Sequence, residues 1–462
     1  MGLAGSVARD KTLVFRTDVF TNWQGGYPQY RIPALVQLGG LASSHLLAFA
    51  EARFWIGDAG RIDIVYRESF DGGRSWGDGA VTVLSTASDL GDPALSGGTL
   101  GNPVPIYLAA TRRLLVLACS NGRSATESEI RARKVDPAAS RRVWLFSATI
   151  NESGVVWDGA ARELTAEVKR KPWTWYATGP GGGVVLANGT IVVPCNHAGG
   201  SAPGDTGDRS HLLLSPDGGA AWSILDGFAP EGSSEASAAQ VSGGEVLVNA
   251  RNLSAGPRRP MMVFAVSPLS LVSSFATVGL KEPTPSGCEG ALAALPAAAE
   301  GRDSAPRGAL FLSKPESAAR RKRLTIFRSD DLGRSWPRSF LVHKGASAYS
   351  SLLFLGGGSD GGGGEAAGCC WLLRVWRVWL RDGGGWDGAA AAPAAADEEA
   401  GGVQSRAVED GLGVLFESGG AFWWSGLLEW IGYIVDSPLW FAQRITFARV
   451  SLGPASPLAS PD

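Results

Sequence analysis

Three short stretches of this chain seat charged side chains in apolar surroundings. Tyr30-Arg31-Ile32-Pro33 runs into an apolar strand pattern, and Phe49-Ala50-Glu51-Ala52-Arg53 follows, with Asp58 five residues beyond Arg53. Farther on, Asn249-Ala250-Arg251-Asn252 sets another arginine at the end of an apolar run. A guanidinium stays charged at any working pH and offers paired donors that match a carboxylate. Arginines embedded in strand patterns can hold an anionic ligand or merely make surface contacts. The run Arg320-Arg321-Lys322-Arg323, taken by itself, reads as a solvated basic stretch or a localisation signal. Neither metal nor cofactor is expected. The four His (His45, His197, His211, His343) are scattered, and the five Cys (Cys119, Cys195, Cys288, Cys369, Cys370) are odd in number and lack CxxC spacing, which argues against a zinc site or a disulfide framework.

The elements that must position these groups are announced by a repeat. Ser69-Phe70-Asp71-Gly72-Gly73-Arg74-Ser75-Trp76 recurs as Ser215-Pro216-Asp217-Gly218-Gly219-Ala220-Ala221-Trp222 and as Ser329-Asp330-Asp331-Leu332-Gly333-Arg334-Ser335-Trp336. A worn copy spans Ile150 to Trp157 and keeps Gly154 and the Trp. Asp and Ser bond to nearby backbone, Gly accepts positive φ and Trp covers the turn, so each copy reads as a hairpin. Strands are predicted at its flanks, over 62–67 and 324–328. The aspartates of the repeat are thus structural. Intervals between the four tryptophans are 81, 65 and 114 residues. If the last spans two units, the mean is about 65, close to a four-stranded blade with its loops.

The chain has 462 residues, with 63 Gly, 17 Trp and 19% charged side chains, which suits a β-rich fold with many tight turns. A net charge of −2 argues against a sequence-independent nucleic-acid binder. Gly356 to Asp410 is rich in Gly and Ala and reads as an insertion, although Trp371 to Leu380 within it has strand character. Without it, roughly 400 residues make about six units. The expected fold is all-β, a six-bladed propeller over 1–455, with a C-terminal tail at 456–462. Asn188-Gly189 between apolar runs predicts a further hairpin, although a glycosylation sequon begins there.

Taken together, Tyr30-Arg31-Ile32-Pro33, Phe49-Ala50-Glu51-Ala52-Arg53 with Asp58, and the repeated octapeptide resemble the sialidase (exo-α-neuraminidase) family. Further matching pieces are Gly101-Asn102-Pro103, Trp173 to Pro180, Val193-Pro194-Cys195-Asn196-His197, Ala348-Tyr349-Ser350 and Ile445 to Arg449. The resemblance implies that Arg31, Arg251 and Arg321 hold the carboxylate of a sialic acid. Arg321 stands three residues before Leu324, as the family's Arg-x-x-Leu pattern requires, but Arg323 replaces the usual Asn or Asp. It implies Tyr349 as nucleophile, Glu235 as the base that activates it, and Asp58 as general acid/base. Glu417 would orient Arg31, and Arg53 would support the cluster or contact the sugar. A phenol suits this substrate, because a carboxylate nucleophile would be repelled by the acid group on the reacting carbon. Trp173, Trp175 and Tyr176 wall the pocket or belong to the core.

The activity implied is hydrolysis of terminal α-linked sialic acid from glycoproteins, glycolipids or oligosaccharides, gangliosides included, with retention and without a metal. The alternatives are a non-catalytic sialic-acid-binding propeller and a trans-sialidase. No signal-peptide pattern is visible, so a cytoplasmic location is expected, with a membrane-associated or lysosomal one as the alternative. Met1-Gly2 begins a match to the myristoylation pattern. The apolar segment 421–441 is interrupted by Glu429, Asp436 and Pro438 and leaves no clean span. Membrane association is possible but not indicated.

Overall fold

A computed structural model describes residues 13–355, 411–419 and 444–451, apart from 40–42, 78–80, 153, 200–206, 242–243, 254–258, 267–268, 278–279, 284–285 and 296–307. The segments 356–410 and 421–441, the tail 456–462 and the Met1-Gly2 start lie outside the described residues. The described chain is all-β. Its strands, numbered in chain order, fall into antiparallel meanders preceded by β1 (Leu13–Thr21).

The first meander is β2 (Gln29–Gln37), β3 (Leu46–Arg53), β4 (Ile62–Ser69) and β5 (Thr82–Ser85). The second is β6 (Thr99–Leu108), β7 (Arg113–Asn121), β8 (Arg142–Asn151) and β9 (Gly154–Trp157), with β10 (Arg162–Glu163) also on β8. The third comprises β11 (Tyr176–Thr178), β12 (Val184–Val185), β13 (Ile191–Ala198), β14 (Asp208–Ser215) and β15 (Ser223–Leu225). The fourth is β16 (Ser233–Gln240), β17 (Val246–Asn252), β18 (Pro260–Val266) and β19 (Leu269–Ala276). The fifth is β20 (Ala291–Ala294), β21 (Leu310–Pro315), β22 (Lys322–Ser329) and the first half of β23 (Arg338–Leu355). The second half of β23 opens a sixth group with β24 (Gly411–Gly419) and β25 (Arg444–Ser451), and β1 pairs with β25 as its outer strand.

The repeated octapeptide lies at one topological place, the turn from the third strand of a meander to the fourth: β4 to β5, β14 to β15, and β22 to β23. The worn copy makes the β8–β9 turn. Asp71 accepts from the Ser69 hydroxyl at 2.8 Å and from the Ser75 amide at 2.9 Å, while the Trp76 indole donates to the Gly73 carbonyl at 3.0 Å. Asp217 and Asp331 repeat the pattern of carboxylate contacts. Gly73, at φ 88°, admits no side chain, because a Cβ there would meet the Phe447 ring at 2.2 Å. The Asn188-Gly189 hairpin links β12 and β13 as the sequence predicts.

Apolar cores lie between consecutive groups. Phe49 and Ile64 of the first meet Val116 and Phe146 of the second; Leu117 and Leu145 meet Val193 and Leu213 of the third. Val192 and Leu212 meet Val248 and Phe264 of the fourth, whose Leu247 and Met261 meet Leu310 and Leu312 of the fifth. Phe311 and Ile326 pack on Phe354 and Val414 of the sixth. Ile445 and Phe447 of the sixth group then return to Tyr30, Leu46 and Trp76 of the first. Strands buried on both faces explain why their apolar runs are nearly continuous instead of alternating.

Candidate active site

Inner strands of four of the groups carry an irregularity at corresponding positions. Register shifts lie between Arg31 and Ala34 in β2, Gly101 and Val104 in β6, Ser233 and Ala236 in β16, and Ser347 and Ser350 in β23. A bulge bends its strand and re-aims the side chains around it. Pro33 and Pro103, which cannot donate to a ladder, fall inside two of them. Ile32 and Asn102 adopt φ of 55° and 56°, and for β-branched Ile32 that conformation is strained. Three bulges turn a backbone N–H away from the ladder toward a buried carboxyl. Ile32 donates to Glu417 at 2.9 Å, Asn102 to Glu51 at 2.8 Å and Ser350 to Glu289 at 3.0 Å.

The bulges bring the candidate residues together. Arg31 donates through Nε to Glu417 at 3.1 Å and through Nη1 to Asp58 at 3.0 Å. Arg53, buried, donates to Glu51 through Nε at 3.0 Å and to Asp58 through Nη1 at 2.6 Å. The Tyr349 hydroxyl donates to Glu235 Oε1, while Arg251 Nη1 donates to Glu235 Oε2 at 2.8 Å and to the phenol oxygen at 3.2 Å. Arg251 is braced by Ser286, whose carbonyl and hydroxyl oxygens accept from Nε and Nη2. The guanidinium carbons of Arg31 and Arg321 stand 5.3 and 5.8 Å from the centroid of the Tyr349 ring. Arg31 of β2, Arg251 of β17 and Arg321, which immediately precedes β22, therefore converge around one phenol.

Electrostatics separate the groups by role. Burial, reinforced by the Glu235 charge, pushes the Tyr349 phenol well above its ordinary range, against the pull of Arg251, Arg321 and Arg31. The phenol is thus neutral, and its hydroxyl donates to Glu235. Crowding by protein atoms penalises the charge of Asp58, but Arg53 and Arg31 outweigh it and hold the carboxyl well below the usual range. Its side chain is nonetheless 70% exposed, so Asp58 sits at the mouth of the site. Burial also opposes the charges of Arg31 and Arg251, yet Glu417 and Asp58 around the first, and Glu235 around the second, make both more firmly protonated than usual.

All eight residues singled out in the sequence lie in this cluster. Within the basic run, Arg321 is half-buried against Tyr349, whereas Arg323 turns outward to pair with Glu316. Trp173 stacks on His197 in the core, and the buried Tyr176 hydroxyl meets His211. Trp175 lies 4.2 Å beneath the guanidinium of Arg141, which donates to Asn102. Sequence reasoning missed Glu51 and Glu289 as partners of the bulges. Glu51 stood in a quoted motif; nothing local marks Glu289. A cavity of about 440 Å³ lined by Arg16, Asp18, His343 and Arg444, among others, shares no residue with the cluster.

Comparison with known proteins agrees with this architecture. A family model described as a BNR repeat-like domain matches residues 44–359, more than half of the chain. No curated protein matches by sequence. Among solved structures, the Hadza microbial sialidase Hz136 is 24% identical over 73% of this chain and 64% of that one, with a TM-score of 0.62. Trypanosoma rangeli sialidase is 17% identical over 96% of this chain and 60% of its own, also at 0.62. The chain thus spans about three fifths of the length of these two. The intramolecular trans-sialidase of Ruminococcus gnavus, solved with oseltamivir carboxylate, is 13% identical over 95% of this chain and 98% of that chain, at 0.62. The trypanosomal enzyme has also been solved with sialic acid and as a covalent intermediate with 2,3-difluorosialic acid. These likenesses establish a shared fold.

Proposed function

Since the chain belongs to the family of BNR repeat-like domains, we propose that it is an exo-α-sialidase built as a six-bladed β-propeller. The six groups of strands are the blades. Ring closure is supported by the core that joins the sixth group to the first and by hydrogen bonds that run from group to group around the centre. Thr178 donates to Asn102, Ala236 to Gly179, Ser237 to Gly290, Ser350 to Glu289 and Leu35 to Ser351.

The observation that carries the function is the Tyr349 hydroxyl bonded to Glu235 amid Arg31, Arg251 and Arg321. In this reading the arginines grip the carboxylate of a terminal sialic acid, each charge-assisted bond contributing about 1.5–3 kcal/mol. Arg31 must let go of Asp58 to do so. Losing that cation and gaining the substrate's negative charge lets Asp58 take up a proton, as a general acid requires. Tyr349 then attacks the anomeric carbon, its proton passes to Glu235, and Asp58 protonates the departing glycosidic oxygen. A tyrosyl glycoside results. Water next attacks the same carbon as Asp58 takes its proton, and the leaving Tyr349 oxygen recovers the proton from Glu235. Two inversions give net retention.

A fluorogenic sialoside tests the reading. Wild type should release the fluorophore, and Tyr349→Phe should lose about 10³-fold or more in kcat. An inert wild type, or a fully active Phe variant, defeats it. Transfer of sialic acid is the second reading, supported by the fold shared with a mutant of Trypanosoma rangeli sialidase displaying trans-sialidase activity. It predicts sialylated galactoside instead of free sialic acid when galactoside is in excess. Sialic-acid binding without turnover would leave only the non-catalytic alternative.

A further inference from the structure

Three inner-strand bulges hand a backbone N–H to a buried glutamate, and the three glutamates are not equivalent. Glu417 is neutralised by Arg31, and Glu51 by Arg53. Glu289 has no cation within hydrogen-bond reach among the described residues. Its side chain is 1% exposed, Oε2 accepts the Ser350 amide, and Oε1 is buried without a partner. Arg259, a cation whose charge acts on it, is already engaged by Glu282, Asn249 and the Cys288 carbonyl. Ser350 directly follows Tyr349, and the side chain of Cys288, beside Glu289 in sequence, packs with Ile32, Ala348 and Tyr349. Glu289 therefore holds the backbone directly after Tyr349.

A buried carboxylate without a counter-cation is costly, and an unpartnered buried oxygen is tolerated far better in an uncharged group. The charges of Glu235 and Glu417 act on Glu289 in the same direction. Burial and these neighbours raise its carboxyl well above the ordinary range. The Ser350 amide needs only an acceptor, which a neutral acid supplies as well as an anion. A third negative charge would also oppose any negative charge developing on Tyr349.

We propose that Glu289 is a positioning residue, an uncharged carboxylic acid that holds the β23 bulge and thereby sets Tyr349 against Glu235. This rests on the reading of Tyr349 as nucleophile. Glu289→Gln preserves the acceptor and the neutrality, so kcat should stay within about twofold of wild type, whereas Glu289→Ala should lose on the order of 10–100-fold in kcat with little change in KM. The second measurement is thermal stability against pH. Above the ordinary carboxyl pKa the unfolded chain releases a proton that folded Glu289 keeps, so wild type loses stability as pH rises and the Gln variant does not. The Tm advantage of Glu289→Gln should therefore grow between about pH 4.5 and 8. Gln and Ala variants alike in kcat, or a Tm difference that is flat in pH, overturn the proposal. An inactive wild type would instead defeat the sialidase reading, and the Tm series would still decide the state of Glu289.

Discussion

On the proposed reading, Asp58 must change its protonation state when the substrate arrives. Two guanidiniums hold it ionised at the mouth, whereas a general acid needs a proton. Asp58→Asn should therefore cost most where the leaving group is poor. We expect a fall of about 10²–10⁴-fold on sialyl-lactose and a much smaller one on an aryl sialoside, measured as kcat/KM on both. Stability carries the same signature with a definite sign. A carboxyl held low in the folded state stabilises above its unfolded pKa and loses that contribution as pH falls, so the Tm gap between wild type and Asp58→Asn should narrow below about pH 4. Exposure of the side chain keeps the gap small. Arg321 was legible only through its spacing to Leu324; the outward pairing of Arg323 with Glu316 is what removes the ambiguity in the run.

Local elements divide between those that hold the sheets and those that aim the site. In the octapeptide turns the tryptophan outweighs the aspartate. Asp71→Ala removes acceptor contacts worth about 1–2 kcal/mol, whereas Trp76→Ala empties a buried aromatic site at about 3–5 kcal/mol. Urea unfolding should rank the two in that order, with the Asp71→Ala protein keeping wild-type kcat. The bulges behave in the opposite way. A Cβ at Gly101 would come 2.3 Å from Glu51 Oε1, the atom that caps the Asn102 amide. Gly101→Ala should therefore push Glu51 off Arg53 and disturb Asp58, lowering kcat by on the order of 10–100-fold. The turns could be read in advance because each is self-contained within eight residues. The bulges at Pro33 and Pro103 left a trace, since proline interrupts a ladder, but those at Glu235 and Tyr349 have none.

At the scale of the molecule, the outermost strand of the sixth group is supplied by the start of the described chain, β1, laid against β25 near its other end. Asp18 fastens that seam, accepting from Arg444 at 2.7 Å and from Thr446 at 2.9 Å. Deleting residues 13–21 would expose the edge of β25 and remove Val19 and Phe20, both buried in the core shared with the first meander. Glu417 lies in β24, two strands away, and orients Arg31. Loss of β1 should accordingly lower Tm and abolish sialoside cleavage together, as followed by circular dichroism and the fluorogenic assay.

By itself the sequence determined what short-range forces decide: an all-β chain, repeated turns of one kind and strands at their flanks, while the candidate groups came from its resemblance to the sialidase family. These depend on contacts within eight or ten residues, and such contacts are written in adjacent letters. Only the tertiary structure decided which arginine of the basic run faces the phenol, which glutamates receive the bulged amides, and that Asp58 rests between two cations. Arg31 and Glu417 are 386 positions apart, and Tyr349 and Glu235 are 114. Their pairing follows from how whole sheets pack against one another, and so does the protonation state that each neighbour imposes.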